Sequence, residues 1–291
     1  MQPAPIQDSR ELGLVLAQQL LDVEDLHYGL WPAGLEPSLA NLPQAQRNYT
    51  ALLLEAIGRV PRPRRVLDVG CGVGGVLVEL RRAGYLAEGL SPSRRMNERA
   101  RERLRRCGYA DTPVHDSRFE DVDPVAAGCF DAVLFGESFQ YTPMSSALER
   151  ARRLLGAGGR IVICDFFKTD AAGDGGPGDG AFGGGHPWRD FAPAVRASGL
   201  RIERDEDLMP LIAPNLALVE DLLQRRLAPA LGSIDSYLSL RHRLLHRLLH
   251  FALRRRIEKL RFKYLSGHRS PQAFARYKTY RLIELRAAAP G

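Results

Sequence analysis

Three short stretches carry residue types that could do chemistry. The first, VLDVGCGVGG (residues 66–75), delivers a β-rich run to a glycine turn. Gly70, Gly72 and Gly74 permit a left-handed backbone and let a ligand approach without a Cβ in the way. Asp68 precedes them, where it could accept a hydrogen bond from a cationic or amino-bearing ligand, a placement that disfavours a dinucleotide. The second, GESFQYTP (136–143), sets Glu137 beside Phe139 and Tyr141. A carboxylate among aromatic faces can stabilise a cation and then remove the adjacent proton, which makes Glu137 and Tyr141 candidate catalytic residues. Gln140 cannot take a proton. The plainer alternative is a solvent-facing Glu137 that only caps or pairs. The third stretch, HYGLW (27–31), offers His27, Tyr28 and Trp31 either as a lid over a ligand or as an aromatic anchor.

These stretches need elements to position them. Residues 10–60 read as two helical patterns around the HYGLWPAG loop. Strand-like runs then alternate with helical ones. The strands are expected at 65–72, 85–90, 112–115, 129–138 and 158–167, with helices near 93–107 and 147–155. That alternation predicts a parallel α/β sheet with helices on both faces. Eight glycines between 173 and 185 predict a flexible loop that could gate a site. A helix near 188–198, a strand at 200–204, a helical stretch over 215–265 and a last strand at 277–285 complete the pattern.

Composition sets the bounds. The 291 residues are 45% hydrophobic, 26% charged and 8% aromatic, which excludes collagen-like, low-complexity and disordered classes. No apolar run approaches the ~20 residues of a membrane span. MQPAPIQDSRELG lacks a basic region followed by an apolar core, so no secretory leader is expected. Cys71, Cys107, Cys129 and Cys164 form no paired ligand motif and read as free thiols of a reducing cytoplasm. The net charge is +7, but residues 241–286 alone carry +12, leaving −5 elsewhere. That basic segment could meet an anionic substrate, a membrane surface or RNA.

The glycine turn, with the second strand, FDAVL and GGRIVI following it in order over residues 60–204, resembles the class I S-adenosylmethionine-dependent methyltransferases. Their first motif has the form hhDhGCGxGx. The resemblance implies a Rossmann-like, doubly wound, seven-stranded sheet and S-adenosylmethionine as cofactor. It implies that Asp68, Gly70, Cys71 and Gly72 contact the methionine portion. The acid that typically ends the second strand and binds the ribose is replaced by Ser91, a weaker partner. This departure, and HYGLW, resemble the sterol, tocopherol and cyclopropane-fatty-acid subgroup. Tyr28 and Trp31 would then face the sulfonium, with Asp116 and Ser117 near the adenine amino edge. Phe119 would serve either as an adenine-stacking face or as a core ring.

ESFQY resembles the ESxxY stretch of geranyl diphosphate C-methyltransferases. The implied acceptor is a lipophilic small molecule, which could be anionic, methylated on an alkene carbon through a carbocation. An O- or N-methyltransferase of a small natural product or lipid headgroup is the alternative, an RNA enzyme or a non-catalytic cofactor binder the remoter ones. The organisation expected is an N-terminal helical cap (1–60), a cofactor core (61–209), a helical substrate cap (210–272) and a returning strand (273–291). In the third unit, Leu245, Leu248, Leu249, Ala252, Leu253, Ile257 and Leu260 form an apolar stripe flanked by Arg243, Arg247, Arg254 and Arg255. The stripe could wall a pocket and the arginines could meet a diphosphate; a lid with a solvated basic face is the plainer reading. A basic amphipathic helix also suits peripheral contact with an anionic membrane from the cytoplasmic side. Nucleic acid is not favoured, for want of an RNA-binding signature. His242, His246 and His250 share one side of that helix, but no carboxylate or cysteine at matching spacing makes them a metal site.

Overall fold

Strand residues alternate between two cores, and that alternation explains the architecture. The computed structural model describes residues 23–58, 65–122, 130–244 and 270–288, with single positions between 15 and 21 and between 246 and 268. The strands are β1 (Arg65–Val69), β2 (Leu86–Ser91), β3 (Val114–Asp116), β4 (Phe130–Gly136), β5 (Leu155–Lys168), β6 (Leu200–Asp207) and β7 (Lys278–Ala287). They form one seven-stranded sheet in the order β3-β2-β1-β4-β5-β7-β6. All neighbours run parallel except β7, which is antiparallel to both β5 and β6. Ala132, Leu134, Val162, Cys164, Tyr280 and Leu282 face one core. Val133, Phe135, Ile161, Ile163, Ile283 and Leu285, one residue out of step, face the other.

Helices cover both faces, as the period-2 burial requires. On the first face lie α1 (Leu42–Gly58), α2 (Gly75–Arg82) and α3 (Arg94–Arg106), whose buried sides present Leu53, Leu77 and Leu104. On the second lie α4 (Met144–Leu154) and α5 (Trp188–Ala197), presenting Leu148 and Phe191. The strand order reverses between β1 and β4, and the glycine turn and the loop after β4 both leave the sheet there. Open α/β sheets bind ligands at that crevice.

The strand expected at 112–115 lies at Val114–Asp116. A larger departure is the glycine-rich segment. Its composition predicts a flexible gate, yet Ala181 and Phe182 are buried, and the Phe182 ring packs edge-on to Phe274 at 4.9 Å. The Asp179 carboxylate accepts from the Gly173 and Gly175 amides, and Lys278 Nζ donates to the Gly184 carbonyl at 2.6 Å. Two buried side chains and carboxylate-closed turns anchor what glycine content alone would leave loose.

Beyond β6 come a four-residue turn (Met209–Ile212), α6 (Pro214–Asp221), a π-helical turn (Leu222–Leu227) and α7 (Ala228–Arg241). The apolar stripe from Leu245 to Leu260 lies outside the described residues, as do His250 and Cys129. Finally, α8 (Pro271–Tyr277) leads into β7.

The β5–β7 pairing buries a charge pair. Arg160 bonds Glu284, which also accepts from Arg204 at 3.2 Å, and both Arg160 and Glu284 are buried. Glu284→Gln removes the carboxylate bonded to the buried Arg160 guanidinium, with Glu203 the other acid acting on it, so it is expected to lower stability by about 3 kcal/mol in urea unfolding.

Candidate cofactor and acceptor site

The glycine turn is shaped by what a side chain would strike. Gly70 has φ 80°, and a Cβ there would lie 2.4 Å from the Ser138 Cβ. The loop after β4 therefore rests directly on the turn after β1, and the Ser138 hydroxyl hydrogen-bonds the Val69 carbonyl. Gly72 is open by contrast: a Cβ there would meet only Leu26, at 3.9 Å.

Asp68 is the feature of this end that asks for a ligand. It is 3% exposed, and its Oδ2 has no hydrogen-bond partner among the described residues. Burial pushes its carboxyl up to about 7. A buried, unsatisfied carboxylate oxygen is costly, and an ammonium brought by a ligand would relieve it. Cys71 borders the same turn as a buried thiol that burial keeps protonated, its Sγ 3.9 Å from Asn97 Oδ1.

Asn97, on α3 and fully buried, ties the strand ends together. Its Nδ2 lies 2.7 Å from the Ser91 carbonyl, 3.1 Å from that of His115 and 2.8 Å from Asp116 Oδ1. Asp116 also accepts from Arg101 at 3.0 Å, so its carboxylate is held by the protein itself. The Ser91 hydroxyl accepts from the Ser93 amide at 3.2 Å, and Ser117 donates to the Arg118 carbonyl.

At the other end stands Glu137. It is the only non-glycine among the described residues with a left-handed backbone, φ 57°. That conformation costs a side-chain-bearing residue about 1–2 kcal/mol. Its amide donates to the Cys164 carbonyl at 2.9 Å, fixing the loop to β5. Next along, Gln140 clamps to the buried Asp165 through its amide at 3.0 Å and Nε2 at 3.1 Å. Glu137 Oε1 accepts from the Tyr280 hydroxyl at 2.7 Å and the Tyr28 amide at 2.9 Å. Burial nevertheless pushes this carboxyl up to about 8, with the nearby Asp165 adding to the rise. Its two donors belong to a group of packed rings: Tyr28 lies edge-on to Tyr280 at 6.2 Å and to Phe274 at 6.3 Å.

The HYGLW segment is clamped from two helices. Gln46 on α1 donates to the Asp25 and His27 carbonyls, and Asn215 on α6 bonds both the amide and the carbonyl of Gly29. His27 Nδ1 lies 2.9 Å from the Tyr28 carbonyl, which can only accept, so the proton sits on Nδ1. Nε2 then faces the Thr50 hydroxyl, and burial keeps the ring neutral. Asp25 pairs with Arg103 on α3, strapping the segment across the start of α2.

Asp68, Gly70, Cys71, Gly72, Ser91 and Asp116 thus gather at the ends of β1, β2 and β3, and Tyr28 meets Glu137. Three expected residues do not join them. Trp31 is buried against Leu42 and Ala45 and acts as an anchor. Phe119 packs edge-on to Phe135 at 5.2 Å in the second core and presents no open face for an adenine. Tyr141, the last residue of its turn, is 55% exposed. Sequence reasoning missed Tyr280, Tyr49 and Asn97. His246 Nε2 bonds Asp235 at 3.0 Å, and among the described residues no cluster of three His, Cys, Asp or Glu is placed to hold a metal.

Residues 67–163 match the family described as a methyltransferase domain. Methyltransferase GfsG of Streptomyces halstedii is 33% identical over 54% of this chain and 58% of its own length. The (+)-O-methylkolavelool synthase of Herpetosiphon aurantiacus is 30% identical over 50% and 51%. The chain therefore spans a little over half the length of these curated relatives. Among solved structures, geranyl diphosphate C-methyltransferase from Streptomyces coelicolor A3(2), in complex with Mg2+, geranyl diphosphate and S-adenosyl-L-homocysteine, superposes with TM-score 0.64. It is 21% identical, with 98% of this chain and 100% of that one covered.

S-adenosylmethionine carries an ammonium that suits the orphaned Asp68 oxygen, and the open floor at Gly72 leaves room for its methionine arm. Only ionised Asp68 attracts that ammonium, and its carboxyl titrates at about 7. The Kd for S-adenosylmethionine is therefore expected to fall about tenfold per pH unit up to that point and then level off, as calorimetry would read. Asp68→Asn should flatten the profile and weaken binding about 10–100-fold at high pH. The sheet order and the glycine turn with its waiting carboxylate give this chain the fold of its methyltransferase neighbours, and residues 67–163 match the methyltransferase domain.

Proposed function

We propose that the chain methylates an alkene carbon of a lipophilic small molecule, with Glu137 as the residue that meets the resulting positive charge. The observation that carries this reading is Glu137 itself: a carboxylate on a costly left-handed backbone, held by two donors on one oxygen, both from aromatic residues. Strain of this kind persists where the surrounding structure is built to hold a side chain at one spot.

When bound, S-adenosylmethionine supplies a methyl group on an already activated sulfonium leaving group. An alkene acceptor would give its π pair to that methyl as the methyl–sulfur bond broke, and would be left with a carbocation for the chain's own residues to meet. Glu137 faces that charge and takes a proton from the neighbouring carbon, whose C–H pair becomes the new double bond. The ring faces of Tyr28, Tyr280 and Phe274 add quadrupole stabilisation and exclude water. A positive charge nearby also favours the ionised carboxylate over the protonated form that burial prefers. The prenyl class is carried over from the name of the structural neighbour; the apolar lining is this chain's own.

A second reading is O-methylation. The same carboxylate could accept a hydroxyl proton, and the name of (+)-O-methylkolavelool synthase favours it. Methyl-labelled cofactor with a panel of prenyl diphosphates, terpene alcohols and phenols separates the two. For C-methylation, label on carbon should fall at least about 100-fold in Glu137→Gln. Label on oxygen, surviving in the variant, overturns the cation reading.

The helical arm after β6 extends the proposal to where the acceptor is met. No residue of α7 is buried, and Leu240, Leu244 and Phe251 are 73%, 78% and 87% exposed. Residues 222–265 carry eleven Arg or Lys and two acids. Apolar side chains among cations suit an anionic lipid surface, where a lipophilic acceptor would be dissolved. The protein is expected to sediment with phosphatidylglycerol vesicles and not with phosphatidylcholine ones, and high salt should release it. The pair Leu240→Asp and Leu244→Asp should weaken that binding at least about tenfold. Equal retention on both vesicle types, or on neither, sinks the membrane reading.

A further inference from the structure

We infer that Tyr280 is the positioning residue for Glu137, and that Tyr49 behind it lets one hydroxyl serve Glu137 with or without its proton. The inference rests on Glu137 being the residue that handles the acceptor's proton.

The geometry is a chain of three hydroxyl or carboxyl groups ending on a backbone carbonyl. Glu137 Oε1 is 2.7 Å from the Tyr280 hydroxyl, which is 3.3 Å from the Tyr49 hydroxyl, itself 3.3 Å from the Cys164 carbonyl. Both tyrosines are fully buried, and neither phenol ionises in the working range because burial raises both well above the usual value. A carbonyl can only accept, so the Tyr49 proton is committed to Cys164 and its lone pairs face Tyr280. The single proton of Tyr280 therefore has two oxygen acceptors, Glu137 and Tyr49, while the Cys164 thiol beside both hydroxyls stays protonated and uncharged in either state.

This arrangement suits a group that changes protonation. When Glu137 is ionised, Tyr280 donates to it. When Glu137 is protonated through Oε1, it donates to Tyr280, which turns its own proton onto Tyr49. Neither state leaves a buried hydroxyl unpaired, and the Tyr28 amide donates to Oε1 in both. A tyrosine with only one acceptor would favour one state and hinder the change between them.

The other groups around Glu137 do not duplicate this role. Asp165, on β5, repels the ionised form but already accepts from Gln140 and the Phe166 amide. The Cys164 thiol is held protonated by burial. His27, stacked on Tyr49 at 4.6 Å, is neutral with its Nδ1 proton on the Tyr28 carbonyl. Lys278 is turned to the Gly183 and Gly184 carbonyls and the Phe166 ring.

The two tyrosines act in opposite senses, which a merely structural role would not produce. Tyr280→Phe removes the donor to the carboxylate, so the Glu137 midpoint should rise. Tyr49→Phe removes the acceptor Tyr280 needs when Glu137 is protonated, so the midpoint should fall. The readout is the protonated-carboxyl infrared band of Glu137, isolated by subtracting the Glu137→Gln spectrum and titrated with pH in the full chain. Shifts of about one pH unit, a tenfold change in the protonation equilibrium, are expected in the two directions. Shifts of the same sign, or none, overturn the inference. Should Tyr280→Phe fail to fold, 3,5-difluorotyrosine in place of Tyr280 keeps the volume and strengthens the donor, and must lower the midpoint. Because the band is read without acceptor, opposed shifts in a protein whose Glu137→Gln variant still transfers methyl would uphold the hydrogen-bond chain while removing Glu137 from the chemistry.

Discussion

No side chain fits at position 70, and much of the molecule follows from that. Gly70 lets the loop after β4 lie on the turn after β1, with Ser138 bonded to the Val69 carbonyl. The two loops belong to adjacent strands at the point where the sheet order reverses. The close approach therefore joins the end of the crevice marked by Asp68 to the end marked by Glu137, the two ends proposed above for cofactor and acceptor. The reaction proposed above depends on proximity and alignment, and the contact of Gly70 with the Ser138 side chain would set both.

The Glu137 environment is built from three distant parts of the chain. Tyr28 comes from the segment before α1, Glu137 from the loop after β4, and Tyr280 from β7. Each is held by its own support: Gln46 and Asn215 for the first, Asp165 through Gln140 for the second, the β5–β7 ladder for the third. The strained backbone at Glu137 persists because all three supports agree on where its carboxylate belongs.

The parts legible in the sequence were those whose meaning is local. A carboxylate two residues before a glycine turn is set beside that turn by the chain itself, and the period-2 and helical patterns place the strands and helices nearly where they lie. Tyr280 was not legible. It reads as a strand residue, and its partner is 143 residues away. Trp31 and Phe119 illustrate a different limit, since a buried aromatic and a ligand-stacking one are the same letter in the same pattern. The glycine-rich segment misleads in the opposite way, because two buried side chains outweigh eight glycines.

The position of β7 has a consequence for how the protein is made. β7 lies between β5 and β6, yet it is translated after both. Until it emerges, β5 ends the growing sheet with an unpaired and strongly apolar edge through Ile161, Val162 and Ile163. A nascent chain in that state is sticky, and β6 has no strand to pair with. The glycine turn can form on the ribosome well before this, so a newborn chain gains its cofactor end first. Its acceptor end waits for the last strand to thread home, which makes insertion of β7 the step where a chaperone would matter most.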